Sequence, residues 1–170
     1  MTFVPMQMVY ADSAFSGGNG TMDDPYLITS ANDFKQLATE VNGGNNYSNT
    51  YFKIPETVTE TIELSTDDGY VPIGNDTNQF EGTFDGGNHT INLNLTGERL
   101  VGLFGEGGEN SNLCNIRTTG SVSMTGYYAG GIVANMYGNV VNCHNEASVT
   151  GYYHVGGIVG ISDNSKYIIN

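Results

Sequence analysis

Residues 112–122, NLCNIRTTGSV, lie without a gap over residues 139–149, NVVNCHNEASV, at an offset of 27. Four of the eleven positions are identical and the apolar positions stay largely apolar, so one short structural unit is written twice. The echo spreads outward from there. TGYY at 125–128 returns at 150–153, GGIV at 130–133 returns at 156–159 with a relative, GLFG, at 102–105, and NVVN at 139–142 returns as YIIN at 167–170. The offsets are 25, 26 and 28, which gives a period of about 27 with small length changes in the turns. Such a period is too short for a four-stranded propeller blade, and the Leu-x-x-Leu-x-Leu signature is missing. At about 3.3 Å per residue, three strands of four to five residues and three turns consume it, which is one rung of a parallel β-helix.

Upstream of the repeats the hydrophobic period changes. In Ser30 to Gly44, SANDFKQLATEVNGG, the apolar residues Phe34, Leu37, Ala38 and Val41 fall at i, i+3, i+4 and i+7, one stripe of a helix. Ser30 can cap the first turn, Asp33 can answer it, and Gly43 is the expected left-handed stop. Beyond it the period is two: Ile62 and Leu64, then Ile91, Leu93 and Leu95, alternate with polar residues. Glu60 interrupts the first alternation, so that strand starts after it. The end rung of a β-helix would leave apolar side chains and strand edges bare, so the amphipathic helix reads as the lid on the N-terminal end. The expected organisation is residues 1–17 as the remnant of a secretory signal or a disordered tail, 18–54 as a cap containing the helix at 30–42, and 55–170 as rungs.

Composition limits the partners. The formal charge is −13, with five Lys and Arg against 18 Asp and Glu. Five scattered bases form no stripe for a phosphate backbone, so nucleic acid is excluded as an expectation, and acidic membrane surfaces are disfavoured by the same sign. No run approaches the length of a transmembrane helix. Eleven Tyr and seven Phe supply material for a core, and 24 Gly supply frequent sharp turns.

The ordered series GTMDDPYLITSANDFKQLATEVNGG, YFKI, VPIG, FEGTFDGGNHTINLNL, VGLFG and the two GGIV repeats with NCHNEASV resembles the GLUG-repeat proteins of bacterial cell surfaces, over roughly residues 18–170. Only GGIVG at 156–160 is a full copy; VGLFG has one glycine fewer, the middle copy ends in Ala134, and Tyr70 and Val71 precede PIG where Trp is common. The resemblance implies an all-β, right-handed parallel β-helix in a secreted or surface-attached, adhesin-like protein. It transfers no catalytic residue.

Enzymatic alternatives are thin. Parallel β-helices include polysaccharide lyases and hydrolases, and the rival reading is a carbohydrate-active enzyme of this kind. Glycoside hydrolysis needs two carboxyl groups facing one bond, whereas Asp23–Asp24 and Asp67–Asp68 are adjacent pairs in turn-type sequence. The polygalacturonase-type motifs are absent, and Arg99 and Arg117 are isolated. His89, His144 and His154 have no ligand spacing, and GGNGTMDDP at 17–25 carries Met22 where a calcium nonapeptide has an acid, so neither a metal nor another cofactor is expected.

Repeated polar features are the better candidates. Asn115, Asn142 and Asn170 share a register in three rungs, either as a ladder of amides along the axis or as independent turn residues. Tyr127 and Tyr128 recur as Tyr152 and Tyr153, so one of each pair should stack at rung spacing on the outside. Such rings read either as a platform for a sugar ring or as aromatic neighbours that steady the turns. The expected partner is accordingly a glycan or a protein of a host or neighbouring cell, unless the repeats serve only as a stalk. Cys114 and Cys143 should be free thiols: Cys143 stacks on Ile116, two residues along from Cys114, which puts the Cα atoms about 8 Å apart, beyond the roughly 7 Å limit for a bridge. YIIN at 167–170 begins a further rung, so the polypeptide is expected to continue beyond Asn170 with more repeats or another domain.

Overall fold

Strands as short as these cannot hold a sheet by themselves, and each one pairs in parallel with the equivalent strand of a neighbouring turn. The computed structural model describes residues 15–162 and 167–169, which wind as a parallel β-solenoid of about five turns with one helix. The first sheet stacks β1 (Tyr26–Leu27), β2 (Tyr51–Lys53), β4 (Thr83–Asp85), β7 (Asn112–Cys114), β11 (Asn139–Val141) and β16 (Tyr167–Ile169) in that order. The second begins with β3 (Ile62–Ser65), β5 (Thr90–Gly97) and β8 (Arg117–Met124), on which β12 (His144–Asn145) and β13 (Ser148–Thr150) both pair. The third holds β6 (Phe104–Gly107), β10 (Val133–Met136) and β15 (Val159–Ser162), with β9 (Ala129–Gly130) and β14 (Val155–Gly156) pairing at a fourth, minor face.

Register follows the sequence repeat with one correction. Asn112 faces Asn139 and Ser121 faces Ser148 at the offset of 27, Val133 faces Val159 at 26, and Val141 faces Ile169 at 28. The TGYY copies, however, are not superposed at 25, because Ala129 faces Val155 at 26. Strand pairs must keep their inward side chains inward, so the sheets set the register and the turn absorbs the length difference. The paired glycines of GGIV have a local cause: a Cβ on Gly130 or Gly156 would overlap the carbonyl of Val133 or Val159, respectively, where the chain folds back into the third sheet.

The interior is built from stacked columns. Phe52, Phe84, Leu113 and Val140 follow one another inward from the first sheet, all at most 2% exposed. Ile62 and Leu64 meet Ile91 and Leu93 in the second, as the alternation predicted, and the strand does start after Glu60. Near the start of the solenoid the core is aromatic: Phe80, Phe104 and Phe84 are in ring contact at 5.2 and 5.4 Å.

The helix α1 (Ala31–Asn42) lies in the chain between β1 and β2. Ser30 caps it and Asp33 completes the capping box, as the sequence predicted. The stop differs by one residue. Gly43 remains helical at φ −82°, with its N–H donating to Thr39, and the left-handed residue is Gly44 at φ 109°. Phe34, Leu37, Ala38 and Val41 are fully buried in the common core, with Phe34 against Phe84 at 5.6 Å. Asn42 then clamps the helix end to the first turns: its amide donates to the Pro72 carbonyl and accepts from Gly74 N–H, and its own carbonyl accepts from Asn78. At the other end Asp33 Oδ2 accepts from Ser16, Thr29 and Ser30, which ties the chain before β1 to the helix start. Of residues 1–17, on which the signal or tail reading falls, 1–14 lie outside the described residues.

Candidate binding surface

Three rings stand out on the surface. Tyr127, Tyr152 and Tyr153 are 58%, 77% and 62% exposed in the turns between the second sheet and the minor face. The offset of 26 places Tyr127 over Tyr153, with centroids 5.9 Å apart and planes 20° from parallel. Tyr128 is half-buried and lies against His154 at 5.2 Å, and His154 itself has a left-handed φ of 45°. The exposed surface is therefore a ridge of Tyr127 on Tyr153 with Tyr152 beside it, while Tyr128 serves the turn. That division between the tyrosines could not be read from a repeated TGYY, because the tertiary register decides which copy meets which.

The asparagines occupy the corner between the first and second sheets. Asn115 and Asn142 are left-handed at φ 54° and 51°, a conformation that Asn tolerates better than most residues. Asn142 Nδ2 donates to Asn115 Oδ1 at 2.6 Å, and Asn115 Nδ2 donates to Asp85 Oδ1 at 2.9 Å. Turn chemistry and amide ladder are thus one device here, and its first rung is Asp85, which the sequence reading did not include. Asn88, left-handed at φ 60°, belongs to the same corner, its N–H donating to the Asn115 carbonyl. Asn170 lies outside the described residues.

Cys114 and Cys143 are free thiols in the expected register, with Val141 facing Cys114. Burial, with Asp85 adding to it, pushes the Cys114 thiol up to about 12, and burial also raises Cys143, so neither is poised as a thiolate nucleophile. The histidines do not converge: His144 pairs with Glu146 at 2.9 Å, His154 lies on Tyr128, and His89 sits in the loop before β5. Arg99 pairs with Asp76 at 2.9 Å on the surface, and Arg117 reaches Glu146 only at 4.0 Å. Glu106 is a buried acid that the sequence reading missed; burial raises its pKa, and Gln79 donates to it at 2.7 Å. Among the described residues no group of three or more His, Cys, Asp or Glu side chains could hold a metal ion.

These features define a repeat scaffold with an exposed aromatic ridge, of the β-solenoid class. No family model matches the chain, and no solved structure matches it. It is similar to a protein of Evansella cellulosilytica described as a Gly-rich membrane protein, 33% identical over an alignment of 141 residues, with 79% of this chain and 16% of the relative covered. It is also similar to halomucin of Haloquadratum walsbyi, 36% identical over 155 residues, 86% of this chain and 2% of that protein. The chain thus spans a small fraction of the length of either relative. Among the described residues no helix is long and apolar enough to cross a membrane.

Proposed function

We propose that this chain is a non-catalytic β-solenoid module of a secreted or cell-surface protein, adhesin-like and of the GLUG-repeat kind, which binds saccharide through the ridge of Tyr127, Tyr152 and Tyr153. The observation that carries this reading is the pair of near-parallel, solvent-exposed rings of Tyr127 and Tyr153. An aromatic face offers a flat apolar surface with a polar tip, which suits the C–H face and hydroxyl rim of a sugar. A net charge of −13 argues against a polyanionic ligand. The names of the two relatives, a Gly-rich membrane protein and halomucin, support the surface setting.

The test is the double substitution Tyr127→Ala with Tyr153→Ala, assayed on a panel of immobilised neutral polysaccharides with thermal melting in parallel. Binding should fall at least about tenfold, equivalent to about 1.4 kcal/mol, at temperatures where the fold persists. Lost stability with unchanged binding would reduce the stack to a turn brace. Reducing ends released from any member of the panel, or unsaturated products from a uronate polysaccharide incubated in parallel, would overturn the non-catalytic part.

A further inference from the structure

A second surface, on another face of the solenoid, has the chemistry of a ligand cleft. The outward side chains of the first sheet form two columns, Tyr51, Thr83 and Asn112 in one and Lys53, Asp85 and Cys114 in the other, each advancing one rung at a time. Beside them stands the loop at 19–25, which carries Met22, 73% exposed, and Asp23. Loop and columns enclose a groove of about 550 Å³, within the range of small-ligand clefts. The wall is held in place: Tyr51 N–H donates to the Gly20 carbonyl, Asn19 Oδ1 accepts from Thr21, and the Asp24 carbonyl accepts from the N–H groups of Asn19 and Gly20.

We infer that this groove, lined by Met22, Tyr51, Lys53, Thr83, Asp85 and Asn112, is a binding site for a neutral oligosaccharide lying along the solenoid axis. Tyr51 and Met22 supply apolar surface for ring faces. Carboxylate, amide, hydroxyl and ammonium groups supply acceptors and donors for hydroxyls at successive rungs about 4.8 Å apart, close to the length of one pyranose unit. Two carboxylates, Asp23 and Asp85, against the single ammonium of Lys53 disfavour a uronate or sulfated chain. The groove shares no residue with the tyrosine ridge, so either site can fail without the other.

Amide chemical-shift mapping on the full chain tests the inference, with cellohexaose, xylohexaose and mannohexaose as probes and oligogalacturonate and oligolysine as comparators. At least one neutral hexasaccharide should shift the amides of 19–25, 51–53, 83–85 and 112–114. Tyr51→Ala, and independently Thr83→Trp, which fills the groove from an outward position, should weaken those shifts at least about tenfold while the melting temperature holds and Tyr153→Ala leaves them intact. If no neutral saccharide shifts these amides, if only oligolysine or oligogalacturonate does, or if both groove variants bind like the parent chain, the inference is overturned.

Discussion

The first and the last described turns of the solenoid are built differently. At the start, the first turn of the core is covered by α1, whose Phe34, Leu37, Ala38 and Val41 are fully buried and whose ends are pinned through Asp33 and Asn42. In the last described turn the inward column of the first sheet reaches Ile168, 47% exposed, and the outward Ile169 and the β14 residue Val155 are 55% and 42% exposed. The interior changes in parallel: Ile62 and Ile91 are followed in the same column by Thr118 and then Asn145, which bond to each other at 2.8 Å. Among the described residues burial is therefore uneven along the stack, and its weight lies in the aromatic, helix-covered half.

The largest expected effect is on the lid. Phe34→Ala removes a fully buried ring that touches Phe84 and should cost about 3 to 5 kcal/mol in urea unfolding; a cost under about 1 kcal/mol would end the claim that the helix is part of the core. Within a single column, Leu113→Ala should cost about 2 to 5 kcal/mol and Ile168→Ala under about 1 kcal/mol, because the second site is already half open to water. Equal costs would break the contrast between the interior rung and the last described one.

The corner ladder gives a smaller effect. Asn142→Ala should cost about 1 to 2 kcal/mol, since Ala must hold φ 51° without the polar side chain that lets Asn tolerate it and the amide bond to Asn115 is lost. Asn142→Gly loses only the bond. Comparing the two melts separates backbone conformation from ladder, and a Gly variant as unstable as the Ala variant would assign the whole effect to the amide.

The smallest effect is one of pH. Burial raises the Glu106 pKa, so the folded chain retains a proton that the unfolded chain releases. The stability this group contributes is complete below the unfolded carboxylate value and is lost as pH rises through the higher folded value. Glu106→Gln keeps an acceptor for Gln79 and should flatten that decline from the ordinary carboxylate range upward when melting is followed against pH. A variant whose melting curve runs parallel to the parent's would show that Glu106 does not titrate in this range.

Periodicity determined the solenoid, the strands around Ile62–Leu64 and Ile91–Leu95 and the helix, and the residue types of Ser30 and Asp33 its capping box, because side-chain alternation and a stripe at i, i+3, i+4 and i+7 are local consequences of backbone geometry. The thiol spacing was legible for the same reason: the gap-free repeat fixes Cys143 against Ile116. Only the tertiary structure decided that Tyr127 meets Tyr153 rather than Tyr152, that Asp85 opens the Asn115–Asn142 ladder, and that loop 19–25 walls a groove on the first sheet. Each of these depends on how a turn of variable length is closed between strands whose register is already fixed by the core, and that closure is a property of several rungs at once rather than of any stretch of sequence.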